Sequence, residues 1–108
     1  MDSTLLSNLL SFYDEDPSDP FNVYALAIEY SKSDLEKAAH FFDILLTEHP
    51  DYLPTYYHAG SFFAAKEETE KAEEIYRKGV ALALLQKNTK AHQELLRAYN
   101  NFLDEMDD

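Results

Sequence analysis

A spaced pattern of apolar and small residues occurs twice in this chain, 33 residues apart before an internal turn and 34 residues apart after it. The matching positions are Val23, Leu26, Ala27, Tyr30, Ala38 and Phe42 in the first copy and Tyr56, Ala59, Gly60, Phe63, Ala72 and Tyr76 in the second. Periods of this length are typical of helical hairpins that stack, because one hairpin alone cannot bury its apolar face. The repeat therefore predicts an all-α protein, a superhelix of stacked antiparallel helical hairpins.

Prolines and capping residues divide the chain into helices. The four prolines, at 17, 20, 50 and 54, interrupt the helical pattern, because each disfavours helical geometry in the residue before it and suits the first turn of a new helix. Ser33, with Glu36 three residues later, is typical of a capping box that starts a helix. We expect about six helices, over roughly 3–13, 21–31, 33–48, 55–66, 69–87 and 88–106.

The charge and composition exclude several classes of function. Nine basic and twenty-one acidic residues give a net charge of -12, which repels a nucleic-acid backbone and an anionic membrane surface alike. Without cysteine the chain forms no disulfide, no thiolate metal site and no thiol nucleophile. The first residues lack the positive start of a secretory signal, and no apolar run is long enough to span a membrane. We therefore expect a cytoplasmic protein that binds neither nucleic acid nor membranes.

The two copies resemble the tetratricopeptide repeat, whose signature is W-x2-L-G-x2-Y, then A-x3-F, then P. The first copy reads Val23-x2-Leu26-Ala27-x2-Tyr30, Ala38-x3-Phe42 and Pro50, and the second reads Tyr56-x2-Ala59-Gly60-x2-Phe63 and Ala72-x3-Tyr76. Leu84 stands where the second closing proline is expected, which predicts a longer fifth helix. The resemblance implies a single domain over 1–108, with repeats at 20–52 and 53–86 between capping helices at 1–16 and 88–106.

Small residues in the pattern have a packing role in this interpretation. Ala27 or Gly60 on one helix, and Ala38 or Ala72 on its partner, are expected to let the two backbones approach closely. The aromatic residues of the pattern then fill the space alongside, and each buried ring contributes on the order of 2 kcal/mol by area.

In this family the first helix of each pair lines a concave groove that holds a peptide or a partner helix. Carried over to this chain, the groove-facing positions are Phe21, Tyr24, Ile28, Ser31, Lys32, Pro54, Tyr57, His58, Ser61 and Ala64. Tyr24 and Tyr57 occupy equivalent places, and tyrosine offers a rigid ring with a polar tip for recognition. Only Lys32 is basic among these residues, so we expect apolar, aromatic or basic peptides as partners instead of an acidic tail.

No pattern in the sequence favours catalysis, a cofactor or a metal. No two of the four histidines lie three or four residues apart on a helix, as a compact metal site favours. The glutamates between 67 and 74 have the spacing of a solvated helix face, and two glycines cannot form a phosphate-binding loop. The sequence predicts a non-catalytic adaptor or scaffold that binds protein.

Two alternatives differ in class from a peptide-binding adaptor. One is self-association into a homo-oligomer through a terminal helix, with Phe102 and Leu103 on the broad apolar face of the sixth helix as the candidate surface. The other, the least favoured, is an enzyme or small-ligand carrier that uses the histidines and carboxylates. The mass in solution distinguishes the first, and metal content distinguishes a metal-dependent form of the second.

Overall fold

The computed structural model describes residues 3–107, with only the backbone described at Ser3. Over that range the regular structure is entirely helical, without a strand. The helices are α1 (Ser3–Glu15), α2 (Pro20–Tyr30), α3 (Leu35–Glu48), α4 (Pro54–Ala65), α5 (Thr69–Leu85) and α6 (Thr89–Met106). The predicted all-α helical repeat fold with about six helices is confirmed.

Aspartate side chains start both helices of the first pair. Asp19 accepts a hydrogen bond from the backbone N–H of Phe21 at 2.9 Å, and Pro20 occupies the first turn of α2. Asp34, in extended geometry, accepts from the N–H of Lys37 at 3.2 Å and caps α3. The capping box predicted at Ser33 is therefore wrong by one residue, because the carboxylate of the next residue takes the N-terminal N–H group.

Both helices of the second pair end in a turn with a left-handed residue. Glu67 adopts a left-handed conformation with φ of 64°, so that the N–H of Glu68 bonds to the carbonyl of Phe63 at 3.0 Å. The N–H of Glu67 bonds to the carbonyl of Ala64, also at 3.0 Å, which completes a Schellman motif at the end of α4. Lys87, with φ of 59°, occupies the same position after α5. Neither residue is glycine, so each turn carries a conformational cost.

The chain divides into two compact units, a first unit up to Tyr52 and a second unit from Leu53 onward. The first unit contains α1, α2 and α3, and the second contains α4, α5 and α6. The division falls where the sequence predicts the boundary between the repeats. A single domain over 1–108 stays a prediction.

In the first unit, α2 packs against α3, and α1 packs on α2. The core consists of the buried residues Val23, Leu26, Ala27, Tyr30, Ala38, Phe41, Phe42 and Leu45. The ring of Tyr13 meets Phe41 edge-on at 5.5 Å. The amide of Asn22 donates to the carbonyls of Phe12 and Asp16, at 3.2 and 3.1 Å, and so fastens the end of α1 to the start of α2.

In the second unit, α5 packs against both α4 and α6. The buried apolar residues from these helices are Tyr56, Ala59, Phe63, Ala72, Ile75, Tyr76, Ala83, Leu95 and Phe102. Two buried glycines make this packing possible. A Cβ at Gly60 would lie 2.6 Å from Cε1 of Tyr76, and one at Gly79 would lie 2.6 Å from Cβ of Tyr56. Because these two glycines have no Cβ, Tyr76 packs against Gly60 and Tyr56 packs against Gly79.

Candidate functional site

Of the five groove residues predicted on the first pair, Phe21, Tyr24 and Ile28 lie on α2, and Ser31 and Lys32 directly follow it. Phe21 is 57% exposed, whereas Tyr24 and Ile28 are half-buried. The hydroxyl of Ser31 donates to the carbonyl of Ile28, and the exposed ammonium of Lys32 lies 3.1 Å from a carboxylate oxygen of Glu29. The polar groups of Ser31 and Lys32 therefore already have partners, which leaves two aromatic rings as the main contact surface.

Tyr24 is held in place by a residue that sequence reasoning did not include. The ring of Tyr52, in the turn after α3, meets Tyr24 edge-on with a centroid distance of 5.8 Å. Burial raises the pKa of Tyr24, while burial, Tyr24 and Asp19 raise the pKa of Tyr52. Both hydroxyls stay neutral near physiological pH. Tyr52 lies in a break between helices, outside the helical spacing from which the groove residues were predicted.

In the second unit, α4 and α6 form the two walls of an open cleft above α5, with a volume of about 430 Å³. Tyr57, Ser61 and Ala64, three of the predicted groove residues, line one wall. Tyr57 is 46% exposed and supplies most of the accessible aromatic surface there. Pro54 and His58, predicted for the same groove, are exposed on α4 and do not line this cleft.

His58 is adjacent to the cleft without being part of it. Its ring lies 5.4 Å from the ring of Tyr57, centroid to centroid, in an edge-on arrangement. Partial burial of the imidazole lowers the pKa of His58 below its ordinary value of 6.5. The neutral form therefore dominates at neutral pH.

The opposite wall of the cleft comes from α6, which was predicted as a capping helix and as a candidate surface for self-association, but not as a wall of the groove. Ala98, Asn101 and Glu105 line this wall, and the buried rings of Tyr76 and Phe102 lie between the walls with centroids 5.5 Å apart. The signal for this role was present in the repeat itself, because α6 follows α5 as a first helix follows a completed pair. The spacing of three and four residues along α6 places its three lining residues on one face.

Buried Leu95 and the hydrogen bonds of Tyr99 fix α6 against α5. Leu95 is buried, and the hydroxyl of Tyr99 donates to a carboxylate oxygen of Glu73 at 2.9 Å while it accepts from Nε of Arg77 at 3.2 Å. Asn88 caps the helix by accepting from the N–H of Ala91 at 3.0 Å. The wall that α6 provides is therefore a positioned surface.

The electrostatics of the cleft are set by one carboxylate and two phenols. Burial, then Tyr57, then Glu105 raise the pKa of Tyr76, so its hydroxyl is neutral at physiological pH. Glu105 is the charged residue among those that line the cleft. The cleft thus offers aromatic surface, neutral hydrogen-bonding groups and one negative charge.

Two solved structures resemble the chain over most of its length. One is a solution NMR structure of a tetratricopeptide repeat domain protein from Salinibacter ruber, 36% identical, with a TM-score of 0.75 over 81% of this chain and 89% of that one. The other is a crystal structure of a tetratricopeptide repeat domain protein from the same organism, 34% identical, with a TM-score of 0.73 over 78% of this chain and 96% of that one. The chain belongs to the tetratricopeptide repeat family.

No family model matches the sequence, and a comparison with curated proteins found no match. The two tetratricopeptide copies in this chain lack the tryptophan of the signature, which Val23 and Tyr56 replace, and the second copy lacks the closing proline. The chain is a helical repeat module of a kind that typically mediates protein interactions.

The tetratricopeptide packing also bears on the other candidate surfaces. Phe102 is buried within the second unit and Leu103 is half-buried, so the apolar face of α6 proposed for self-association already covers α5. Among residues 3–107, no three histidine, aspartate or glutamate side chains come together as a metal-binding group. No helix in the same range combines the length and apolarity needed to cross a bilayer.

Proposed function

We propose that this tetratricopeptide protein is a non-catalytic adaptor that binds an extended segment of another protein. Its contact surfaces are the accessible faces of α2 and α4, the first helix of each repeat. The first face consists of Phe21, Tyr24 and Ile28 on α2 with Ser31 and Lys32 directly after it. The second consists of Pro54, Tyr57, His58, Ser61 and Ala64 on α4. The cytoplasm stays the predicted compartment.

The observation that carries this proposal is the cleft of the second unit. It has a volume of about 430 Å³, within the range of about 300–1,000 Å³ that small ligand sites occupy. Tyr57 projects an exposed ring into it beside the hydroxyl of Ser61. Both belong to a helix that packs on its partner, so the backbone of this protein loses little conformational entropy when a peptide binds.

The side chains of the two faces favour particular partners. The ammonium of Lys32 is already paired with Glu29, and no lysine or arginine lines the cleft of the second unit. One lysine, itself beside a carboxylate, is too little positive charge to hold a carboxylate-rich tail. Apolar, aromatic or basic segments therefore suit these faces better than acidic ones.

A peptide-library selection tests the proposal. Random nine-residue peptides displayed on phage are selected against the full chain, and the dissociation constants of selected peptides are measured by fluorescence polarisation. The variants are Tyr24→Ala, Tyr57→Ala and the double change. We expect a loss of about tenfold or more for the double variant, because exposed aromatic anchors dominate such contacts.

Phe12→Ala is the matched control. Phe12 is 53% exposed on α1 and belongs to neither the α2 face nor the α4 face. This variant should leave the dissociation constants unchanged. Circular dichroism must show that all variants retain their helical content. If the double variant binds as tightly as the wild type, the two faces are not the binding surface.

The self-association alternative has less support, because Phe102, one of its two candidate residues, is buried within its own unit and Leu103 is half-buried. We therefore expect light scattering to give a monomer mass that does not change with concentration. A mass that rises with concentration would favour the alternative.

A further inference from the structure

The cleft of the second unit has a carboxylate without a cation to neutralise it. Glu105 is exposed on its rim, and no described residue forms an ion pair or a hydrogen bond with it. The cations of this unit with known partners are engaged elsewhere: Lys66 and Lys71 lie over the rings of Phe62 and Phe63, and Arg77 and Lys78 pair with Glu73 and Glu74. No lysine or arginine is among the residues that line the cleft with Glu105, so its carboxylate is accessible to a cation of a bound molecule.

Aromatic surface lines the same cleft as that carboxylate. Tyr57 and Glu105, from opposite walls, both lie close enough to the buried Tyr76 to raise its pKa. The accessible ring of Tyr57 and the carboxylate of Glu105 therefore line the same cleft, from its two opposite walls. A cation over a tyrosine ring is stabilised by the negative face of the ring, and a nearby carboxylate adds to that attraction.

We infer that the cleft takes an arginine side chain of the bound peptide, its guanidinium against the ring of Tyr57 and paired with the carboxylate of Glu105. This inference rests on the proposed peptide-binding function and specifies the chemistry of its ligand. The chain's net charge of -12 attracts such a peptide from a distance.

Arginine fits this cleft better than lysine for geometric reasons. Its planar guanidinium stacks on an aromatic face and donates in several directions at once, whereas an ammonium is a compact and strongly hydrated charge. The carboxylate of Glu105, the side-chain oxygen of Asn101 and the hydroxyl of Ser61 can each accept a hydrogen bond, and all three line the cleft. Several acceptors around one aromatic wall match several donors in one plane.

The test uses three capped seven-residue peptides of alanine and proline that differ only at the central position, which holds arginine, citrulline or leucine. Citrulline has nearly the shape of arginine but carries no charge. Each peptide is titrated into the isotope-labelled full chain at about 0.15 M salt, where long-range attraction is screened beyond about 8 Å. Binding is followed by the amide signals of Tyr57, Ser61, Asn101 and Glu105.

We expect the arginine peptide to shift these signals in a saturable way and to bind about fivefold more tightly than the citrulline peptide. Glu105→Gln should remove most of that preference. Asp104→Asn is the matched control, because it removes one negative charge from the same exposed turn of α6 without touching the cleft. It should leave the preference intact.

Equal binding of the arginine and citrulline peptides overturns the inference, as does an equal effect of Glu105→Gln and Asp104→Asn. If the leucine peptide binds the cleft best and Tyr57→Ala abolishes its binding, the arginine preference is wrong while peptide binding stands. If none of the three peptides shifts the cleft signals, the inference also fails. The library-selected peptides then decide the proposed function independently.

Discussion

The α2–α3 pair and the α4–α5 pair follow one sequence pattern but reach their packing by different routes. The first pair places Ala27 and Phe42 where the second places Gly60 and Tyr76. The second pair thus has one methyl group fewer on the small residue and one hydroxyl more on the ring. In the second pair the ring of Tyr76 occupies the space that a Cβ at Gly60 would need. The repeat pattern thus sets the combined volume of the small residue and the aromatic residue, and the two pairs divide that volume differently between them.

The two pairs also differ in how their helices are capped. Asp19 and Asp34 cap the helices of the first pair with their side chains. Leu53 and Glu68, at the equivalent positions of the second pair, make no side-chain cap hydrogen bond. The second pair also differs at the end of its first helix, where Glu67 after α4 has a left-handed backbone and no residue of the turn after α2 does. Acidic side chains cap the helix starts of the first pair only, and a left-handed residue follows the first helix of the second pair only.

The largest effect on stability should come from replacing Gly60 with alanine, the residue that the first pair has at the equivalent position. Gly60→Ala places a methyl group 2.6 Å from the ring of Tyr76. We expect it to lower the free energy of unfolding by about 1–3 kcal/mol, as overpacking of a core does. Urea denaturation measures this change.

The sign of that result is diagnostic. In an unconstrained helix, replacing glycine by alanine stabilises by up to about 1 kcal/mol. Stabilisation by Gly60→Ala would therefore contradict the tight packing. Combining Gly60→Ala with Tyr76→Leu should cost less than the sum of the two single changes, because the shorter side chain leaves room for the methyl group.

The helix caps supply the next largest difference. Asp34→Ala removes the acceptor for the N–H of Lys37 and should cost about 1 kcal/mol. Glu68→Ala is the matched change in the second pair and should cost only a few tenths of a kcal/mol, because its side chain makes no cap bond. Equal costs in thermal unfolding would mean that the two pairs do not differ at these ends.

The turn after α4 should respond in the opposite direction. Glu67→Gly relieves a left-handed backbone and should raise the free energy of unfolding by about 0.5–1 kcal/mol. Ser33→Gly, in the turn of the first pair, is the comparison, since Ser33 does not have a positive φ. There the added chain flexibility should destabilise slightly. The account of the two turns fails if both glycines change stability with the same sign.

The smallest effect concerns His58 and acidic pH. Because the folded-state pKa of His58 is lowered from 6.5, the unfolded chain takes up a proton first on acidification. This histidine should therefore reduce stability as the pH falls through about 6.5, and His58→Gln should lessen that fall. Urea denaturation at about pH 7 and pH 5 measures the difference. An unchanged pH dependence in the variant would contradict the lowered pKa.

Much of the fold follows from the sequence because its signals are repeated and local. The three-and-four spacing from Val23 to Tyr30 occurs again from Tyr56 to Phe63, and prolines mark the breaks between the pairs. The cap of α3 was misplaced because Ser33 and Asp34 are both good capping residues. Only backbone geometry decides between two such neighbours.

The candidate site was less predictable, because it depends on which helices face each other. Tyr57, Ser61 and Ala64 could be expected from the family pattern, and all three line the cleft. The wall formed by α6 was missed, because its residues Asn101 and Glu105 belong to no complete repeat. The role of Gly60 was also only partly anticipated. It was expected to allow helix α5 to approach through Ala72, whereas the nearest atoms belong to the ring of Tyr76.

The most direct test of the binding account is to map a library-selected peptide onto the isotope-labelled chain by amide chemical shifts. The account predicts that the largest shifts occur on the faces of α2 and α4, at Tyr24, Tyr57 and Ser61. Shifts confined to the outer surface of α5, around the exposed residues Glu74 and Lys78, would contradict it.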